Sequence, residues 1–345
     1  MGVNGRGGRG RTVVAVVYNP IRVDVPRVRA AVEAAAAAAG AVDAAGAAGE
    51  PSGVELLWLE TTPEDGGQAQ AREALARGAT LVLAAGGDGT VRAVAEALRD
   101  QDATLAVIPG GTGNLLARNL GIPFSSVENA CAVAFGSETR RIDIGIAEAR
   151  RPDGSVTEHA FLVMAGVGID AAMIEAAKPG LKRRFGWLAY VDAAFRAFPT
   201  SSKVQVRYRL DRGHVRSAHV STILIANCGA LPGNIELIPD GAIDDGLLDV
   251  AVLQPATVFG WLAIWRKVTW ENRVLRRSSV GRRIIRFTDR AVRTRLSYLR
   301  GASVQLEVDA PEPFELDGDA FGEILALDLR VDERALRVKA PAASN

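Results

Sequence analysis

Hydrophobic positions in the first third of the chain fall into short, nearly unbroken β-rich runs: Thr12–Val17, Val54–Leu59, Leu81–Ala85 and Leu105–Ile108. Between them lie helical segments at Val25–Ala39, Gln68–Arg77, Val91–Arg99 and Leu115–Leu120. Continuous apolar strands alternating with helices predict a parallel sheet covered on both faces. The Ala/Gly-rich stretch Ala34–Gly49 is predicted to finish a helix and pass into a flexible loop. After about Ser137 strand-like segments dominate, at Ala160–Ala165, Lys203–Leu210, Val220–Asn227, Leu247–Leu253 and Val304–Val308. Helices are predicted near Ala171–Ala177, Arg184–Phe198 and Thr257–Trp270. This half reads as a mainly antiparallel β domain, and no period of 20–50 residues recurs, so the chain is not a repeat protein.

A length of 345 residues with 48% hydrophobic and 23% charged side chains fits two ordinary globular domains. Cys131 and Cys228 stand far apart outside any CxxC pattern, which fits a reducing compartment rather than a disulfide framework or zinc site. His159, His214 and His219 form no metal-ligand spacing. The Gly/Arg-rich residues 1–11 read as a disordered basic tail with no apolar segment of a secretory signal. The longest strongly apolar stretch, Ala256–Trp265, is about half of the ~20 residues a spanning helix needs. The expectation is a soluble, cytoplasmic protein that associates peripherally with the inner face of a membrane.

Two glycine loops carry the candidate chemistry. Gly86-Gly87-Asp88-Gly89-Thr90 follows one apolar strand and opens a helix. Pro109-Gly110-Gly111-Thr112-Gly113-Asn114 repeats the arrangement after the next strand. Backbone N–H groups at a helix start favour phosphate, and glycines let the main chain approach the anion closely. A tight turn with Asp88 as helix cap is the plain alternative for one loop. Two such loops at the carboxyl edge of one sheet point to a polyphosphate site. No Gly-Lys-Ser/Thr occurs, so this is not a Walker A loop. Gly166–Ala171 mimics a dinucleotide fingerprint, but a structural turn is the better reading there.

Together these segments resemble the diacylglycerol-kinase catalytic domain family, which includes bacterial lipid kinases and the sphingosine and ceramide kinases. The matching residues are Tyr18-Asn19-Pro20, Gly86–Thr90, Pro109–Asn114, Arg141-Ile142-Asp143, Gly166–Ala171, Pro239–Asp249 and Leu316-Asp317-Gly318-Asp319, in family order. The resemblance implies an NAD-kinase- or phosphofructokinase-like α/β nucleotide domain at 12–137, rejoined by the chain end at about 322–345. It also implies a β-rich lipid-substrate domain at 138–321, with the active site in a cleft between the two. ATP would be held by Asn19, Pro20, Thr62 (or Thr61, since the Pro63–Gly67 loop has several registers), Gly86, Gly87, Asp88, Gly89, Thr90, Gly111, Thr112 and Asn114.

By the same resemblance Asp317 is the base that accepts a proton from the lipid hydroxyl; spacing alone reads Asp317-Gly318 equally as a hairpin turn. Asp319 stands where the family usually has Glu. Asp88 and Asp143 match positions that organise Mg²⁺ and water near the phosphates, while Leu115 replaces an Asp found in many bacterial members. Ala242–Leu247 resembles a second metal loop, in which the carbonyls of Ala242 and Leu247 join the Asp245 carboxylate around Mg²⁺. Chemistry alone allows a solvated acidic loop there.

The net charge of +1 conceals an asymmetry. Arg266–Arg300 holds twelve basic and two acidic residues, leaving 29 basic against 38 acidic elsewhere. Trp261, Trp265 and Trp270 adjoin this stretch. Tryptophans beside arginines suit an anionic membrane surface, so Trp261–Arg300 is the candidate docking segment, against a solvated helix face as the alternative. Bulk nucleic-acid binding is not expected. The sequence sets no oligomeric state and allows a homodimer. The function implied is ATP- and Mg²⁺-dependent phosphorylation of a membrane lipid, diacylglycerol or a relative. An NAD kinase and a non-catalytic lipid or nucleotide sensor are the rivals.

Overall fold

Strand β1 (Thr12–Tyr18) holds four valines in seven residues, and Val14–Val17 are buried. Branched side chains favour extended backbone, and burial on both faces follows where helices cover a sheet. The computed structural model describes residues 12–46, 54–168, 204–228, 230–231, 235–236, 241–253 and 296–342. The chain divides into two units: Met1–Gly111 with Leu120–Arg140 and Leu336–Asn345, and Thr112–Asn119 with Arg141–Ala335.

In the first unit β1 leads to α1 (Val25–Gly46), β2 (Val54–Glu60), α2 (Gln68–Ala76), β3 (Ala79–Gly86), α3 (Asp88–Leu98) and β4 (Thr104–Pro109). The strands pair in parallel in the order β2-β1-β3-β4. The crossover from β1 moves one way to β2, and that from β3 moves the other way to β4. Right-handed connections in opposite directions put α1 on one face and α3 on the other. The packing agrees: α2 lies against α3, and α1 against α5 (Val127–Ala134), which follows the short α4 (Leu115–Asn119).

The second unit is mainly antiparallel: β5 (Thr139–Arg150), β6 (Val156–Phe161), β7 (Met164–Val167), β8 (Val204–Leu210), β9 (Arg216–Val220), β10 (Thr222–Ala226), the short pair β11 (Ala230–Leu231) and β12 (Ile235–Glu236), β13 (Leu248–Leu253), β14 (Leu296–Gly301), β15 (Ser303–Leu316) and β16 (Asp319–Lys339). The β15–β16 hairpin is its spine. Val304–Val308 of β15 pair with β8, and Phe314–Leu316 pair with β7, a division made possible by register shifts between Glu307 and Glu315. Strands β10, β13 and β14 extend from β7 in turn. Period-two alternation buries Val204, Val206 and Tyr208 while Gln205 and Arg207 face water. Phe161, Ile223, Val250, Leu306 and Phe314 join them in one core. Gly145 stands opposite Phe161, and a Cβ there would meet the ring at 2.1 Å.

The fold expected from the sequence is the fold observed: a parallel α/β unit, a mostly antiparallel unit, and a chain end that returns. Arg337 and Val338 of β16 pair in parallel with Thr104 and Leu105 of β4. Details differ. Helix α3 opens at Asp88 rather than Val91, so the glycine loop forms its first turn. Alanine's high helix propensity carries α1 to Gly46. The expected strand Ala160–Ala165 is broken at Leu162-Val163, and Val220–Asn227 is broken at Ser221. The helices expected at Ala171–Ala177, Arg184–Phe198 and Thr257–Trp270 lie outside the described residues, as do residues 1–11. Among the described residues no helix is long and apolar enough to cross a membrane.

Candidate active site

The strand order of the first unit reverses between β1 and β3, and ligands of open α/β sheets bind at such a point beyond the carboxyl ends of the strands. Both glycine loops and the Asn19 turn meet there. The N–H of Asn19, just after β1, donates to the Ala85 carbonyl (2.9 Å) at the end of β3. The N–H of Gly110, after β4, donates to the Gly86 carbonyl (2.8 Å). Asn19 Oδ1 accepts from the Ile21 N–H (3.0 Å), and its carbonyl accepts from Arg22 and Val23, closing a tight turn that includes Pro20.

This packing leaves no room for a side chain at Gly86 or Gly110. A Cβ on Gly110 would lie 2.4 Å from Val23 Cγ1, and one on Gly86 would lie 2.7 Å from Thr90 Cβ. A Cβ on Gly87 would reach within 3.8 Å of the Gly111 Cα. The two loops therefore present bare main chain to each other. Gly87 precedes α3 without a side-chain cap, and the first helical bond runs from the Val91 N–H to the Gly87 carbonyl. Amides ahead of Val91 have no partner within the helix, so the positive end of α3 fits a phosphate. Asp88 and Gly89 are half-buried in that turn, and Thr90 is buried.

Thr61 and Thr62 follow β2. Thr61 is buried, and its N–H donates to the Tyr18 carbonyl. Thr62 is exposed and accepts through Oγ1 from the Asp65 N–H (3.1 Å). Asp65 then secures the start of α2, accepting from Gly67, Gln68 and Ala69. Partial burial pushes its carboxyl up, but these three amides and Arg72 outweigh that and hold it below the usual range. Gly111 closes the first unit, while Thr112 and Asn114 begin the Thr112–Asn119 stretch of the second. Asn114 adopts φ +49°, and its carbonyl accepts from the Arg118 N–H. Arg118 Nε reaches back to the Gly113 carbonyl (2.7 Å).

In the second unit Asp317 and Gly318 connect β15 to β16, with φ of +51° and +85°. Two central residues with positive φ characterise a type I′ hairpin turn. The turn that spacing predicts at Asp317-Gly318 is therefore present, and the Asp317 carboxylate is buried in it. Asp317 Oδ2 accepts from the Leu162 N–H (2.9 Å), and Oδ1 accepts from Val163 (2.8 Å) and Met164 (3.0 Å). These donations break the strand expected at Ala160–Ala165, because the amides turn away from the ladder. Asp319 lies exposed at the start of β16.

Asp143 is fully buried on β5 and meets the Ala242–Leu247 loop. Its Oδ2 accepts from the Gly246 N–H (2.7 Å), its Oδ1 from the Arg334 N–H (2.7 Å), and its own N–H donates to the Ile243 carbonyl (2.9 Å). Asp245 Oδ1 accepts from the Leu247 N–H (3.1 Å). Arg300 forks onto Asp249, at 2.8 and 3.0 Å, and places Nη1 3.5 Å from Asp245. Burial pushes the Asp245 carboxyl up, as do the neighbouring Asp249 and Asp143 charges, against the pull of the Leu247 amide and Arg300. The donors that the motif names here, the Asp245 carboxylate and the carbonyls of Ala242 and Leu247, are all oxygen, the donor type that a hard divalent cation takes. Among the described residues, no cluster of three His, Cys, Asp or Glu side chains has the geometry to hold a metal. Any such cation would rest on main-chain oxygens as well.

Residues 35–147 match the diacylglycerol kinase catalytic domain, and residues 163–340 match the YegS C-terminal NAD kinase beta sandwich-like domain. The chain belongs to the diacylglycerol-kinase catalytic domain family. It is 30% identical over 217 residues to "Diacylglycerol kinase" of Bacillus subtilis, covering 62% of this chain and 68% of that one. With "Probable lipid kinase YegS-like" of Pseudomonas savastanoi pv. phaseolicola it shares 31% over 279 residues, 79% of each chain. For the corresponding Pseudomonas aeruginosa protein the match covers 65% of that chain at 35% identity. The crystal structure of a Bacillus anthracis diacylglycerol kinase superposes with a TM-score of 0.67 over 97% of this chain and 98% of that one, at 20% identity. A second structure from that organism gives 0.72 over 99% of both. These superpositions show the fold, and the family makes the chain a kinase relative.

Several of these contacts carried no sequence signal. The amides of Leu162–Met164 and Arg334 act through main chain, which residue type does not encode. Arg300 was read only as one charge of the basic stretch. Asn227, a polar residue closing an apolar strand, was passed over, although both ends of its amide are buried. The rest of Trp261–Arg300, up to residue 295, lies outside the described residues.

Proposed function

We propose that this protein is an ATP-dependent lipid kinase that transfers the γ-phosphate to a hydroxyl of a membrane lipid, diacylglycerol or a close relative. The observation that carries this is the stitching of the two glycine loops, Gly110 N–H to Gly86 carbonyl, at the reversal point of the parallel sheet. It builds a main-chain cradle for a polyphosphate without a Walker lysine. Asn19 and Pro20 lie beside the cradle, Gly86–Thr90 and Gly111 form it, and the resemblance adds Thr62 after β2. Thr112 and Asn114 continue the second loop.

Asp88 supplies a carboxylate at the phosphate end of α3 and would hold Mg²⁺. Asp245, with the carbonyls of Ala242 and Leu247, would hold a second cation, and Asp143 fixes that loop. A bound divalent cation neutralises charge that develops on the transferred phosphoryl group. The lipid hydroxyl oxygen bonds to the γ-phosphorus, the bond to ADP breaks, and the hydroxyl proton passes to a carboxylate of the Asp317–Asp319 turn.

The motif assigns that base to Asp317. A second reading has a specific observation in its favour: three amides fasten both Asp317 oxygens, whereas Asp319 is exposed two residues on. In that reading Asp317 anchors the turn and Asp319 carries the proton.

Labelled ATP offered with diacylglycerol, a sphingoid base, phosphatidylglycerol and NAD tests the proposal. Phosphate on a lipid and not on NAD is expected, and phosphate on NAD alone overturns it. The Trp261–Arg300 segment is proposed to dock on anionic membrane. Changing Arg276, Arg277, Arg282 and Arg283 together to Ser should abolish sedimentation with vesicles containing anionic lipid, and unchanged sedimentation moves the docking surface elsewhere.

A further inference from the structure

Asn227 follows β10 and is 1% exposed. Its backbone N–H donates to the Val163 carbonyl (2.8 Å). Its side-chain Nδ2 donates twice, to the Leu162 carbonyl (3.0 Å) and to the Asp143 carbonyl (3.1 Å). Because Nδ2 meets two acceptors, the orientation of the amide is fixed. Among the described residues its buried Oδ1 has no hydrogen-bond partner. What the side chain does accomplish is geometric.

The two carbonyls it grips belong to separate parts of the candidate site. Leu162 and Val163 are two of the three residues whose amides hold Asp317. Asp143 holds the Ala242–Leu247 loop through the Gly246 N–H and the Ile243 carbonyl. One amide group therefore ties the cradle of the acid turn to the strand that fixes the acidic loop, reaching back 65 residues to Leu162 and 84 to Asp143.

We propose that Asn227 is a positioning residue that locks these two loops into one rigid arrangement and so sets the placement of the Asp317–Asp319 turn. The catalytic consequence rests on the kinase reading above, whereas the mechanical coupling does not.

The test compares the full-length protein with Asn227→Ala, Asn227→Ser and a control, Val304→Ala, in the same core but remote from these contacts. Amide hydrogen exchange and lipid-kinase kinetics are measured on each. In Asn227→Ala, exchange at Leu162, Val163, Met164 and Gly246 should rise about ten-fold relative to the β8–β15 ladder, while Val304→Ala shows no such selective change. The kcat should fall roughly ten-fold or more with KM for ATP held within about two-fold. Asn227→Ser, which keeps one donor, should recover part of both effects and stands in if the alanine variant does not fold.

Unchanged exchange at those four amides overturns the coupling. Raised exchange with wild-type kcat, or an equal kcat loss in Val304→Ala, overturns the positioning role. A wild-type protein that phosphorylates no lipid overturns the kinase reading and the positioning role with it, and exchange alone then decides the coupling.

Discussion

The backbone N–H of Val163 lies 2.8 Å from Oδ1 of Asp317, a contact that joins residues 154 positions apart. With Leu162 and Met164 it makes three amide donors on one buried carboxylate. A turn residue held this way is a structural fastener whatever its chemical role, and substitutions at Asp317 and Asp319 should separate the two functions.

Asp317→Ala leaves three N–H groups without their acceptor and should destabilise the protein by about 2–5 kcal/mol in urea unfolding. Asp319→Asn should change stability by less than about 0.5 kcal/mol, as exposed substitutions usually do. If Asp319 carries the proton, its kcat should fall by on the order of 10² or more. An Asp319→Asn enzyme with wild-type kcat would return the base to Asp317.

Gly110→Ala forces a methyl group toward Val23 Cγ1 at 2.4 Å, with the Arg22 and Gly86 carbonyls at 3.2 and 3.3 Å. Overpacking of this kind costs about 1–3 kcal/mol. Since Gly86 belongs to the proposed phosphate cradle and accepts the Gly110 N–H, KM for ATP should rise along with the loss in thermal stability. Gly78→Ala has φ +81° but open space around its Cβ. It should lower stability by about 1 kcal/mol and leave KM unchanged.

The Asp245 carboxyl is raised above its ordinary value, first by burial. A folded-state value above the unfolded one means that Asp245 supports folding at pH below its unfolded value and loses that contribution as pH rises through the folded one. At neutral pH with chelator, Asp245→Asn should therefore melt no lower than wild type. Added Mg²⁺ should raise the melting temperature of wild type and not of the variant; equal responses would place the cation elsewhere.

Glu128 is held down to about 2, first by the hydrogen bond from the Arg27 side chain, then by its own amide and the Ser126 hydroxyl. A depressed carboxyl contributes stability above its unfolded value, and the contribution fades as pH falls toward the folded one. Glu128→Gln should thus reduce the slope of stability against pH across the acid range from about 4.5 down to about 2. Both partners are well exposed, so the effect should be small and should shrink further in high salt.

Much of the fold was legible because its signals are local. Valine-rich runs such as Thr12–Tyr18 mark buried parallel strands, and glycine loops mark where such strands end. Strand β5 was missed although Ile142, Ile144 and Ile146 alternate along it, because Arg140, Arg141 and Asp143 interrupt the apolar run. Strand β16 was missed for a similar reason, with Asp328, Arg330, Asp332, Glu333 and Arg334 scattered through it. At the site, residue types pointed to Asp317 and Asp245 but not to what holds them. Main-chain amides hold both, with Arg300 beside Asp245, and a main-chain amide has no signature in one sequence.

The long β16 strand also bears on how the protein is made. Strand β4 lacks its second neighbour until Arg337 and Val338 are available, and Asp317 reaches its amides across more than 150 residues. Pairings of such long sequence separation form late and slowly. During synthesis the sheet edge at Thr104–Leu105 therefore stays uncovered while over two hundred further residues are added, and the amides of Leu162–Met164 wait for about 150 residues before Asp317 follows. An unpaired strand edge is open to mispairing with other chains for that interval, and shortening β16 at its far end would prolong the exposure.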